Sequence, residues 1–254
     1  MIYPKLPIVF LSTIASEKAD ATNSQIASYI LAHLDEVRDM GIKDMAHQCH
    51  VAVSSISRFC KEIGLRDYAE LRELLTGTEL YFEESSLDVY TRHVQDCIRQ
   101  VATSIDLSSI KQLCLSIKEH ERVAIFGLLK AGTVALNLQV DLLMLGKQVY
   151  TQVAYASQMD YLDQTTQADL IVIFSYTGTY FNDEELRAKK KKLNDPEIWM
   201  ITGEARDYPA YIDHVILFDS NHDQLSHPYQ LQFIAGLIAQ EYARLSNCVE
   251  DEIK

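Results

Sequence analysis

The chain has 254 residues, room for one or two domains and at least one sizeable core. Hydrophobic residues make up 48% and charged residues 23%, an ordinary globular composition, and 9 Gly with 5 Pro exclude collagen-like and turn-dense all-β designs. Lys plus Arg total 23 against 36 Asp plus Glu, a formal net charge of −13. The whole-chain field therefore repels phosphate, which excludes a non-specific coat on nucleic acid or an anionic membrane but leaves room for a local, oriented contact.

The amino-terminal region opens with an apolar run over residues 6–15, broken by Pro7, Ser12 and Thr13 and too short to span a bilayer. One Lys precedes it, and Glu17, Lys18 and Asp20 crowd the only small-residue cleavage pattern. It reads as a helix with Ile8, Leu11, Ile14 and Ala15 on its apolar face rather than as a signal peptide. Five cysteines (Cys49, Cys60, Cys97, Cys114 and Cys248) form no CxxC, so neither a disulfide framework nor a zinc site is expected, and the chain suits a reducing cytoplasm.

Residues 1–77 are predicted to be all helix. Thr22 is placed to cap a helix carrying Ile26, Tyr29, Ile30, Leu34 and Val37, which Gly41 breaks. A short helix over 42–48 with Met45 and Ala46 on one side leads through a tight Cys49-His50-Val51 connection into a helix over 54–63, stopped by Gly64. A further helix covers 67–75. On the 54–63 helix, Ile56, Phe59, Cys60 and Ile63 fall at i, i+3, i+4 and i+7, one buried stripe. Ser54, Ser55, Ser57, Arg58 and Lys61 remain for solvent or a ligand: small hydroxyls beside a helix N-terminus that favours a phosphate oxygen, and an Arg able to fork onto guanine. Residues 50–66 hold Arg58, Lys61 and Arg66 against Glu62 alone. Residues 1–77 have 8 basic and 10 acidic side chains, so nearly all of the −13 lies beyond them. That asymmetry points this domain at DNA. By charge and spacing alone, a plain three-helix interaction domain also fits.

The texture changes over residues 76–88, and 78–105 read as a linker with a connecting helix (about 86–103). From 106 to 254 the period changes again. After a helix over 108–118, short β-branched runs at 122–126, 148–151, 170–174, 197–202 and 214–218 alternate with helices at about 131–145, 182–193 and 229–245. Continuous apolar runs alternating with helices predict a buried parallel sheet in an α/β layer fold. The Lys189–Lys192 run, behind Glu184 and Glu185, reads as a solvated helix face.

Two strand-to-helix turns carry the chemistry of this half. One is Gly127-Leu128-Leu129-Lys130-Ala131; the other is Ser175-Tyr176-Thr177-Gly178-Thr179-Tyr180. Turns of this kind expose N–H groups and hydroxyls at the carboxyl ends of strands, where open α/β sheets bind ligands. Gly127, Lys130, Ser175, Thr177, Gly178 and Thr179 are the candidate ligand residues. An ordinary capped turn has the same composition. For catalysis, the available bases are His222, His227 and Glu241, with no metal-binding spacing and no cofactor motif.

The stretch Val51-Ala52-Val53-Ser54-Ser55-Ile56-Ser57-Arg58-Phe59-Cys60-Lys61-Glu62-Ile63-Gly64 resembles the recognition helix of the RpiR family of bacterial transcription regulators, V-S-x-x-[ST]-[IV]-x-R-F-[CS]-K-x-[IL]-G. Residues 22–34 and 67–71 resemble its flanking helices. The resemblance implies an all-α helix-turn-helix domain followed by an α/β parallel-sheet αβα sandwich, the SIS domain, which binds phosphosugars. It implies a non-enzymatic regulator of sugar-metabolism genes, binding a double-stranded operator as a homodimer or homotetramer without membrane contact, with a phosphorylated sugar as effector. Against the family's G-x-G-x-S, this chain has Leu129 for the second Gly and Ala131 for the Ser; against S-x-S-G-x-T it has Tyr180 for the Thr. One hydroxyl and one close backbone approach are expected to be lost, leaving a weak or altered site. The alternatives are a SIS-like scaffold that only oligomerises, or a sugar-phosphate isomerase.

Overall fold

Phe10 sets the rotation of the first helix. In the computed structural model, which describes residues 5–78, 80, 82, 84–181 and 196–251, helix α1 (Lys5–Ser16) buries Leu6, Val9 and Phe10, and the Phe10 ring stacks on Phe59 with centroids 6.0 Å apart. The apolar face read from the sequence is therefore displaced: Leu11 and Ala15 are exposed, while Ile8 and Ile14 are half-buried. Burying a phenylalanine against another ring outweighs the alternative registry of smaller side chains.

The next helix, α2 (Thr22–Ala32), starts one residue earlier than a Thr22 cap would allow: Ala21 is the cap residue and Thr22 the first helical one. It ends at His33, whose ring stacks on Tyr29 at 4.4 Å, and α3 (Leu34–Asp39) restarts in a new direction that buries Val37. No Gly or Pro announces that break. Helix α4 (Ile42–Gln48) and α5 (Val53–Glu62) are joined by a turn in which His50 takes φ +53° and Val51 N–H donates to the Ala46 carbonyl at 2.9 Å. A Schellman motif closes α5: Gly64 takes φ +87°, its N–H donates to Lys61 O at 3.1 Å, and Leu65 N–H donates to Cys60 O at 2.8 Å. Asp67 then caps α6 (Tyr68–Leu75) by accepting from Glu70 N–H. Residues Val153–Asp160, which open a later helix, belong to this same unit. Ser12, fully buried on α1, donates to Val153 O at 2.8 Å and accepts from Tyr155 N–H at 3.1 Å.

The second unit runs through α7 (Leu87–Ser104), α8 (Leu107–Glu119), β1 (Arg122–Gly127), α9 (Lys130–Met144), α10 (Tyr155–Leu162), β2 (Asp169–Phe174), β3 (Glu197–Thr202), β4 (His214–Leu217) and α11 (His227–Asp251), with α10 mostly in the first unit. Helix α7 contributes Val101 to the same buried cluster as Leu113, Ile125, Leu138, Val172 and Ile238. The sheet order is β1-β2-β3-β4 and all pairs are parallel, with Gly127 level with Phe174. β2 is buried along its whole length, as covering a parallel sheet on both faces requires. On the other flank of β1, Tyr150 makes an isolated bridge to Ala124, so the 148–151 run supplies one rung rather than a strand. Because Tyr150 and β2 lie on opposite sides of β1, the chain changes direction there. The carboxyl ends of β1 and β2 form the topological switch point where such sheets take ligands. The helix expected over 182–193, with Lys189–Lys192, lies outside the described residues. No helix among the described residues is long and apolar enough to cross a membrane.

Candidate functional site

Two sets of residues are presented for binding, one in each unit. In the first, Ile56, Phe59 and Cys60 of α5 are fully buried, Ile63 nearly so, and Ser54, Arg58 and Lys61 are exposed, with Ser55 and Ser57 half-buried beside them. No side chain caps the N-terminus of α5, so its first N–H groups keep their pull on an anion. Ser57 Oγ donates back to Val53 O at 3.3 Å. Arg58 Nε lies 3.5 Å from Glu62, and Asn23 donates to the same carboxylate at 2.7 Å. An exposed pair of this kind is worth about 0–1 kcal/mol, so exchanging Glu62 for another acceptor costs Arg58 little.

In the second unit, the turn after β1 is built for closeness. A Cβ on Gly127 would lie 2.6 Å from the Ala131 carbonyl carbon and 2.9 Å from Gly132 N, so only glycine fits. Leu129 adopts φ +44°, the side of backbone space that glycine favours. The loop thus keeps its glycine-type shape although the glycine is gone, and the expected loss of backbone approach does not follow from the substitution. Lys130 is half-buried as the first residue of α9, and desolvation pulls its pKa below the usual lysine value.

The turn after β2 begins with Ser175, 8% exposed, whose N–H donates to Ile201 O at 3.0 Å. Gly178 takes φ +63° and its N–H donates to Ser175 O at 2.9 Å. The Thr177 and Thr179 hydroxyls meet at 2.7 Å. Tyr180 turns into the protein, 2% exposed, against the edge of Phe181. The two turns therefore sit at the ends of neighbouring strands, bringing Gly127 and Lys130 to the same sheet edge as Ser175, Thr177, Gly178 and Thr179.

Three side chains at this edge escaped the sequence reading as ligand groups. Arg206, in the segment after β3, donates through Nη2 to the Gly178 carbonyl and lies over the Tyr208 ring, 5.2 Å from its centroid. Tyr176 is buried behind the loop and hydrogen-bonds Ser220. His227, considered only as a base, stacks on Tyr176 at 4.5 Å; burial, and then the Lys130 charge, push its pKa down to about 3. Among the three bases, His222 also flanks Tyr176 but is exposed and faces Glu204 at 3.5 Å. Glu241 lies about 21 Å along α11 from His227 at 1.5 Å per residue, paired with Arg244. These bases do not converge on one point.

Residues 9–79 match the family model described as the helix-turn-helix domain of the rpiR family. The amino-terminal domain is an rpiR-family helix-turn-helix. The match spans α4, the His50 turn and α5, so the rpiR-family domain contains the whole exposed face described above. Two solved structures share the fold. One is the Vibrio vulnificus NanR protein complexed with ManNAc-6P: 16% identical, TM-score 0.55, covering 98% of this chain and 97% of that one. The other is E. coli CFT073 c3406, in complex with a sugar phosphate: 16% identical, TM-score 0.52, covering 65% of this chain and 94% of that one. The chain thus joins an rpiR-family helix-turn-helix to a parallel-sheet domain with a SIS-like fold.

Proposed function

We propose that this protein is a DNA-binding transcription regulator of sugar-metabolism genes, working in the bacterial cytoplasm, whose SIS-like domain binds a phosphorylated sugar. The observation that carries the reading is the exposed face of α5: Ser54, Arg58 and Lys61 stand opposite a fully buried stripe, at the end of an uncapped helix, within an rpiR-family domain. In a major groove, Ser54, Ser55 and Ser57 allow close approach to phosphate and base edges. Arg58 forks onto a guanine and Lys61 neutralises the backbone. The effector class is supported by the fold shared with NanR and c3406, whose solved structures hold phosphorylated sugars. It is also supported by the hydroxyls and cations at the carboxyl ends of β1 and β2.

Pairing of two copies has its own support. Leu136, Val140, Leu143 and Met144 form an exposed apolar stripe on α9, suited to a second copy. A two-fold dimer would set two α5 helices about 34 Å apart, or a multiple of that, on a palindromic operator. The effector then acts by changing that spacing. No catalytic step is assigned to the site.

The test uses the full-length protein to select duplexes from a random pool, followed by titration of the bound complex with hexose, amino-sugar and pentose phosphates. A palindromic site should emerge, and one phosphate ester should shift the binding midpoint by about five- to 150-fold, the usual range of allosteric coupling. Absence of any enriched sequence would refute the DNA-binding reading. An enriched site unmoved by every ester would favour the second reading, a domain that only holds the helix-turn-helix units together. Ala131 and the buried Tyr180 speak for that alternative.

A further inference from the structure

The residues expected to hold the effector are rich in hydroxyls and poor in charge. Ser175 is nearly buried, the Thr177 and Thr179 hydroxyls already satisfy each other, and Ala131 and Tyr180 offer nothing where the resembled pattern has two more hydroxyls. Lys130 is the only cation the sequence assigned to the site. A phosphate monoester brings nearly two negative charges at neutral pH, in a chain that is itself at −13. A second cation is required near Gly178 if the group is to be held.

The segment after β3 supplies one. Gly203 N–H donates to Tyr176 O at 3.2 Å, which lays this segment along the turn after β2. Tyr208 donates to Glu204 O at 2.7 Å, and its hydroxyl covers the Cα of Gly178 so closely that a Cβ there would lie 2.3 Å away. Arg206 rests on that ring and reaches the Gly178 carbonyl. Its position is thus fixed at two points, a carbonyl and an aromatic face, which lowers the entropy lost on engaging a ligand. The bond to Gly178 uses one donor of a planar five-donor fork whose geometry matches a phosphate. Glu204, the acidic group two residues away, faces His222.

Resting on the phosphosugar reading above, we propose that Arg206 is a ligand-binding residue of this site, clamping the phosphoryl group of the effector over Gly178 in place of the missing hydroxyls. Thr177 and Thr179 orient the group from below and Arg206 supplies the charge. The ligands selected are phosphate monoesters in preference to neutral sugars.

The experiment is calorimetric titration of inorganic phosphate and of glucose 6-phosphate into the full-length protein, its Arg206→Gln and Arg206→Lys variants, and Thr177→Val as a control on the site. Gln retains an N–H for the Gly178 carbonyl, so a residue that merely latches the loop survives that change, whereas a charged clamp does not. Wild type should bind at least one probe, Arg206→Gln should bind it at least about tenfold more weakly, and Arg206→Lys should fall between them. Duplex binding without effector should be the same in all, which shows that the variants are folded. Should Arg206→Gln bind as tightly as wild type while Thr177→Val does not, the clamp is wrong and the phosphosugar site stands. Should wild type bind neither probe, the site itself is wrong and the clamp falls with it.

Discussion

His227 gives this protein an acid-sensitive core. The side chain is 7% exposed, stacked on Tyr176, and its pKa stands at about 3 against an ordinary 6.5, because burial and then the Lys130 charge disfavour the imidazolium. The folded protein therefore holds His227 neutral, while the unfolded chain takes up a proton below pH 6.5. Stability from this residue is complete above that value and drains away as the pH falls toward 3. The slope is about 1.4 kcal/mol per pH unit once the unfolded state is protonated and the folded state is not. Between pH 7 and pH 5 the loss comes to about 2 kcal/mol. Other histidines also titrate in this window, so the informative quantity is a difference between proteins. His227→Phe keeps the ring stack and removes the titration. Urea unfolding of both proteins at pH 7, 6 and 5, followed by the fluorescence of Trp199, the sole tryptophan, reads the domain that contains the site. The wild type should lose about 2 kcal/mol more than His227→Phe over that range. Parallel losses in the two proteins would mean that His227 is solvated and titrates normally, and the packing described around Tyr176 would be wrong.

Other perturbations follow from single contacts. Ser12→Ala removes both a donor to Val153 O and the acceptor for Tyr155 N–H in a fully buried position. The cost should be about 1–3 kcal/mol, seen as five- to 150-fold faster hydrogen exchange at the Tyr155 amide; unchanged exchange would contradict the contact. Leu129 sits at φ +44°, so glycine there should be more stable than alanine by roughly 0.5–1 kcal/mol, the reverse of their usual order. If the alanine variant melts higher, the loop does not have this conformation. Gly127→Ala drives a Cβ into the first turn of α9 and should destabilise by about 1–3 kcal/mol in chemical denaturation; a neutral outcome would show that the strand and helix are less closely packed.

The parts of this fold that could be read from the sequence are those fixed by local pattern. Ile56, Phe59, Cys60 and Ile63 carry their stripe in their spacing, Gly64 marks the end of the helix by the φ it needs, and buried parallel strands betray themselves as unbroken apolar runs. What escaped was set by distant partners. Phe59 decides which way α1 faces, 49 residues away in sequence, and no local signal marks the break at His33. The 148–151 run has the composition of a strand but pairs at one residue, because whether a flanking segment becomes a strand depends on the partner it meets. The same holds at the ligand edge. Ser175 to Thr179 are visible as a turn, whereas Arg206 reaches Gly178 and His227 reaches Tyr176 across long sequence separations. The loss of glycine at position 129 suggested a changed loop, yet the backbone shape is retained and only the side chain differs.

The central claim, that the outward side of α5 reads duplex DNA, is tested most directly by fluorescence anisotropy of a labelled operator with full-length wild type and Arg58→Ala at fixed salt. Arg58→Ala should weaken binding by about 1–3 kcal/mol, roughly five- to 150-fold, and should relax preference at one base pair in each half-site. Equal affinity and equal sequence preference in the two proteins would show that α5 does not enter the groove by this face.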